Sequence, residues 1–334
     1  MAFCPDQVRL GLLLFSRTAL AGMSLLVGIS AAQPFPEATI TNGVVTAKLY
    51  LPDAEKGYYR ATRFDWSGQI YSLQALGHEF FGQWFPRYDP RLHDSIMGPV
   101  EEFRTGNSAL GFDQAMPGER FVRIGVGVLR KPDQEKFDSF RTYEMVDPGR
   151  WTVKAEPDAV HFTHLLDAGN GYAYRYQKTM RLPPGRTELV IEHRLENTGA
   201  RPIETSQYNH NFFVLDRLRT GPDFTVTFPF DLQPQQKPRG DAANVDGRQI
   251  RYRRELADGE SFYVAMAGGS PYDIRVEHRR AKVGIRIQGD RPMERIVYWS
   301  IATTLCPEPY IQLSIPPAEA AAWTYRYEFY RLPE

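Results

Sequence analysis

Two short stretches carry residues suited to moving protons. Tyr208 to Phe213 reads YNHNFF and sets one imidazole, His210, between two amides in an otherwise aromatic segment. Thr303 to Tyr310 reads TTLCPEPY and sets Glu308 between two prolines. Imidazole titrates near neutrality, and a carboxyl group follows it there when burial disfavours its charge. The apolar runs VYWSIA and IQLSI on either side of Glu308 favour partial burial. Such a pair has the chemistry of a general acid and a general base. Two further stretches mix aromatics with polar groups: GHEFFGQWFPRYDPRLHD (Gly77 to Asp94) and GPVEEF (Gly98 to Phe103). Aromatic faces stack on pyranose rings, and amides, arginines and carboxylates bind hydroxyls, so a carbohydrate is the expected partner.

Other chemistries find little support. The seven histidines include no HExxH spacing, and His161 and His164 in HFTH face opposite sides if that segment is a strand. No metal and no organic cofactor are expected. The chain has no Gly-x-Ser-x-Gly elbow and no phosphate loop, and GVGVL (Gly125 to Leu129) reads as a strand rather than a nucleotide fingerprint. Lysine plus arginine and aspartate plus glutamate both number 40, which argues against nucleic acid or an anionic membrane as partner.

The first segment reads as a secretory signal peptide. Arg9 and Arg17 precede the apolar run TALAGMSLLVGI (Thr18 to Ile29), and Ser30-Ala31-Ala32 offers small residues for cleavage after Ala32. The run is shorter than the roughly 20 apolar residues of a membrane span. Residues 1–32 are therefore expected to be removed and residues 33–334 to form a single secreted or periplasmic domain without a membrane partner. Losing Arg9, Arg17 and Asp6 takes the basic count from 40 to 38 and the acidic count from 40 to 39, a net formal charge of −1. Cys4 goes with that segment, leaving Cys306 without a partner for an intramolecular disulfide, so stability must come from the core. No motif names an oligomeric state.

The elements that must position these residues read as strands. Proline and glycine, 25 and 27 copies, divide the chain into short alternating segments. RTELVIEHRLE (Arg186 to Glu196) puts Leu189, Ile191, His193 and Leu195 on one face. Tyr272 to Gln288 alternates around an HRRAK bend, Phe224 to Phe230 reads FTVTFPF, and Trp323 to Phe329 carries aromatics at every second position. Asp231 to Gln249 reads as a long excursion. The pattern predicts an all-β fold, a large antiparallel β-sandwich.

The order of these features resembles the galactose mutarotase-like (aldose 1-epimerase) superfamily. Asn209-His210-Asn211-Phe212-Phe213 is similar to the family's Asn-His followed by aromatics, and Cys306-Pro307-Glu308-Pro309 to its Cys-x-Glu-Pro context. Ile311 to Ile315, Pro317-Ala318-Glu319 and Trp323 to Tyr330 follow the family's strand, turn and last strand, and Phe64 to Leu76 resembles its early strands. The resemblance implies the galactose mutarotase-like supersandwich. It also implies interconversion of sugar anomers, with His210 as the protonated general acid and Glu308 as the general base. The two tips are then expected on opposite sides of one pyranose-sized pocket. The family's Asn-x-Leu-His-Gly segment and its sugar-binding Asp have no match. His78 or His93 stands in for the missing histidine, and Arg87 or Glu102 is the candidate for hydroxyl binding. Gln207 and Asn209 are candidates for orienting the sugar or the imidazole, although strict alternation turns Asn209 and Asn211 away from His210.

Three alternatives remain on sequence grounds. A glycoside hydrolase would use Glu308 with Glu101 or Glu102, whose carboxyls would stand roughly 5 to 9.5 Å apart. A polysaccharide lyase-like enzyme would need a Tyr or His base beside charge-neutralising groups. A non-catalytic carbohydrate-binding domain would bind sugar without exchanging anomers.

Overall fold

The computed structural model describes residues 35–333; the signal peptide expected over residues 1–32 lies outside them. Every strand pairing among the described residues is antiparallel, and no helix occurs there. The two largest sheets have ten and five strands.

Alternation explains how the ten-stranded sheet forms. The strand Glu188–Asn197 buries Leu189, Ile191, His193 and Leu195, and its neighbour Ala320–Arg331 buries Trp323, Tyr325, Tyr327 and Phe329. The register aligns Leu189 with Tyr327, Ile191 with Tyr325 and His193 with Trp323, so both apolar sets fall on one face. Tyr272–His278 and Val283–Gly289 form the hairpin that the HRRAK bend predicts.

The five-stranded sheet runs in the order Ser261–Gly269, Met293–Ile301, Thr304–Ile315, Ile203–His210, Val100–Arg104. One of its faces packs on the ten-stranded sheet. Phe103, Ile311 and Leu313 join Trp323, Tyr325 and Tyr327 in one buried cluster. Burial of each such side chain contributes roughly 1.5–3 kcal/mol, enough to make this interlayer the main source of stability without disulfides. The other face carries Tyr208, Val297 and Tyr310, with Tyr263 against them.

Two local readings change. GVGVL is not one strand: Arg120–Arg123 and Gly127–Arg130 are the arms of a hairpin whose turn contains Gly125. Gly125 has φ +76°, and a Cβ there would fall 2.6 Å from Asp65 Oδ1, so only glycine fits. The first part of the excursion Asp231 to Gln249 folds back along the edge strand Ser261–Gly269 through bridges from Pro234 to Met266 and from Arg239 to Tyr263, and its later part, Ala243–Asp246, is a strand paired with Gln249–Tyr252 in the ten-stranded sheet. The first part covers an edge that would otherwise be open to pairing.

Candidate functional site

His210 is the last residue of its strand, paired with Val100. Its neighbour on the other side is the strand of Glu308, where Tyr208 faces Tyr310. Continuing that register by two residues sets His210 opposite Glu308. Directly opposed side chains have Cβ atoms about 4.5–5.5 Å apart, so their tips meet. His210 Nε2 lies 3.2 Å from Glu308 Oε1. The two therefore do not straddle a pocket, as the sequence leads one to expect; they stand side by side in one wall.

The residues after His210 fix the imidazole. The Asn211 amide donates to the Pro307 carbonyl at 2.6 Å and accepts from the Tyr327 hydroxyl at 2.9 Å. Phe212 takes φ +34°, a left-handed value that ends the strand. Its ring then stacks on His210 with centroids 3.7 Å apart and on Trp84 at 4.7 Å. Phe64 and Trp299 present edges to the imidazole at 5.6 and 5.8 Å. His210 Nδ1 is buried without a hydrogen-bond partner.

The pair borders a cavity of about 430 Å³, within the range of small-molecule sites. Its walls include Arg63, Asp94, Tyr208, Trp299 and Tyr310, with Phe140 at 56% exposure. His210 and Glu308 are 5% and 4% exposed. Burial raises the Glu308 carboxyl to about 8, against the pull of Arg63. Burial, helped by Arg63, drives the His210 imidazole well below its ordinary range. At neutral pH the proton therefore rests on Glu308 and the imidazole is uncharged. This is the reverse of a protonated His210 beside a charged Glu308, and its cause is the desolvation of both buried groups, with Arg63 further disfavouring charge on His210. The pair still holds one proton, the same count as a carboxylate beside an imidazolium.

Glu102 lies under the pocket, fully buried and opposite Tyr208. It accepts from Arg63 Nε at 3.0 Å, from Arg123 at 3.1 Å and from the Tyr208 hydroxyl. Burial pushes its carboxyl up, but Arg63, Arg123 and Arg104 together hold it down at about 2. It positions Arg63 and Tyr208 and does not reach a sugar. Asp94 borders the cavity 2.5 Å from Arg63. His93, at 3.1 Å from Asp94, packs against Phe140 and does not line the cavity.

The other expected ligand residues do not join the site. Gln207 and Asn209 point into the interlayer, where Gln207 accepts from Tyr325 at 2.5 Å and Asn209 donates to Tyr327 at 2.9 Å. Alternation sends them to the face opposite His210, so they do not contact a sugar there. His78 belongs to another surface hollow, 2.6 Å from Asp216. Arg87 is exposed and lines no part of the cavity beside His210. Glu101 also faces the interlayer, 2.5 Å from Lys178 and 3.0 Å from His193, so it is no second carboxyl for a glycosidase. Among the described residues no group of three or more His, Cys, Asp or Glu is arranged to hold a metal.

Several wall residues escape a reading of the sequence alone. Arg63, Arg104, Arg239, Tyr263 and the pair Arg295 and Trp299 come from five separate strands and connecting segments. One signal is readable. Arg295, Val297 and Trp299 alternate in the strand that hairpins directly into that of Glu308, with Val297 opposite Glu308.

No protein-family model and no curated protein matches this chain. Solved structures do. The Slr1438 protein from Synechocystis sp. PCC 6803 superposes with a TM-score of 0.56 at 15% identity, covering 91% of this chain and 99% of its own. A galactose mutarotase-like protein from Lactobacillus casei gives 0.51 at 15%, covering 88% and 100%. An aldose epimerase homologue from C. elegans gives 0.51 at 14%, covering 90% and 99%. The chain has the galactose mutarotase-like fold.

Proposed function

We propose that this protein interconverts the anomers of a sugar by acid–base catalysis at His210 and Glu308. The observation that carries this reading is the 3.2 Å contact between His210 Nε2 and Glu308 Oε1 in the wall of a sugar-sized cavity. Mutarotation requires a proton to leave the anomeric hydroxyl and another to reach the ring oxygen. Both oxygens are bonded to one carbon, so the acid and the base must be close neighbours.

The resting proton sets the roles. Glu308 donates to the ring oxygen, and His210 takes the proton of the anomeric hydroxyl. The bond from C1 to the ring oxygen breaks and C1 becomes a carbonyl. Rotation about C1–C2 presents the other face, and closure returns both protons with the roles exchanged. Each positioned group contributes on the order of 10² to 10⁴ in rate. Phe212 and Trp84 hold the imidazole plane, and Phe140 and Trp299 line the cavity with aromatic surface. The hydrolase alternative loses support because Glu101 faces the interlayer and Glu102 is enclosed by arginines.

The fold likeness supports a carbohydrate ligand, since neighbours of this fold are named as a galactose mutarotase-like protein and an aldose epimerase homologue. The test is anomer exchange followed by NMR over a panel of free sugars. Exchange that survives at full rate in folded His210→Ala and Glu308→Gln proteins would reject both roles.

A further inference from the structure

The cavity is richer in cationic groups than sugar hydroxyls need. Four arginines border it, at positions 63, 104, 239 and 295, against the carboxyl groups of Asp94 and Glu308. Glu308 is uncharged at neutral pH. Asp94 is engaged by Arg63 at 2.5 Å. The nearest carboxylate oxygen to Arg104 is on Glu102 at 4.0 Å, and that oxygen already accepts from Arg123 at 3.1 Å. Arg104 Nε is buried without a hydrogen-bond partner. Arg239 and Arg295 have no carboxylate partner among the described residues. Each instead lies over a tyrosine ring, Arg239 at 4.2 Å from the Tyr263 centroid and Arg295 at 3.9 Å from that of Tyr310. A ring beneath holds a guanidinium in place but accepts none of its in-plane N–H groups.

We infer that the sugar carries an anionic substituent, a carboxylate or a phosphate ester, which Arg104, Arg239 and Arg295 receive while the anomeric carbon faces His210 and Glu308. Planar forks suit both groups, because each presents paired oxygens to two N–H donors. The excursion Asp231 to Gln249 has a purpose in this arrangement: its bridge to Tyr263 brings Arg239 to the cavity. Arg63 is not part of the receiving set, since Asp94 and Glu102 already occupy it. This inference rests on the reading of the cavity as a sugar site.

The experiment compares three forms of the same hexose: neutral, 6-carboxylate (uronate) and 6-phosphate. Anomer exchange is measured by NMR and binding by calorimetry, on the wild type and on an Arg239→Gln/Arg295→Gln double variant. Neither arginine has a carboxylate partner to lose, and a thermal melt verifies folding; a single Arg104→Gln variant is run alongside. The expected result is a kcat/KM or affinity for an acidic form about tenfold or more above the neutral one, shrinking with added salt and collapsing in the double variant. Preference for the uronate alone names the carboxylate, and preference for the ester alone names the phosphate. Equal treatment of neutral and acidic forms, or a preference that survives in the double variant, overturns the inference. Acid-selective binding without exchange of any sugar would instead overturn the epimerase reading and leave this one standing.

Discussion

The Asn211 amide donates to the Pro307 carbonyl at 2.6 Å, so the segment following His210 is pinned to the residue preceding Glu308. Tyr327, from the opposing sheet, donates to the other end of the same amide at 2.9 Å. The distance between the two proton-handling groups is thus set from behind the site. Asn211→Ala is expected to lower kcat about 10- to 100-fold with KM changed by no more than about threefold, as small misplacements of reacting groups do. Steady-state kinetics on a variant shown to fold by circular dichroism decides it, and an unchanged kcat would remove Asn211 from this role.

The pH dependence follows from the one proton that the pair holds. Glu308 loses it through about pH 8, so kcat/KM falls above that value. The imidazole, depressed by burial, gains a second proton only well below 6.5, so the acid limb lies lower than that of an ordinary histidine. The rates should form a broad bell whose apparent pKa values belong to the pair. A profile centred on an acid limb near 6.5 would show that His210 is not desolvated in solution.

Stability carries the same signature with a worked sign. The folded carboxyl of Glu308 titrates near 8 and its unfolded counterpart near 4.5, so its favourable contribution is complete below 4.5 and is lost as pH rises through 8. Glu308→Gln removes that loss. Its Tm should exceed that of the wild type at pH 9 by on the order of 5 °C and differ little at about pH 5. Calorimetric melts at the two pH values test this, and an equal difference at both would contradict it.

Glu102 shows the opposite behaviour. Its carboxyl is held at about 2, so its contribution is present above its unfolded value of 4.5 and is lost as pH falls through 2. Glu102→Gln leaves Arg63 and Arg123 buried without their shared carboxylate. A loss of about 3–5 kcal/mol is expected at neutral pH, read as a lower urea midpoint. A midpoint within error of the wild type would mean that the arginines find other acceptors.

The strands were legible because alternation survives wherever one face is buried, as at Leu189, Ile191, His193 and Leu195. His210 and Glu308 stand out in the sequence because an imidazole among amides and a carboxyl between prolines are chemically unusual in strands. Their contact, by contrast, depends on register between two strands far apart in the chain, which no local pattern encodes. GPVEEF held two adjacent glutamates, and alternation alone separates them: Glu101 goes to Lys178 in the interlayer and Glu102 to the arginines under the cavity. The arginines of the wall were hidden for another reason. Each is an ordinary exposed-looking residue in its own segment, and only the assembled sheet and the returning excursion gather them.

The aromatic clamp on His210 also makes the protein its own optical gauge. Trp84 lies against the far face of Phe212, and Trp299 sets its edge toward the imidazole. An imidazolium quenches indole emission far more strongly than a neutral ring does. Trp151 and Trp323 stack on His164 and His193 instead, so the part of the emission change that is lost in Trp84→Phe and Trp299→Phe variants reports when charge enters the pair.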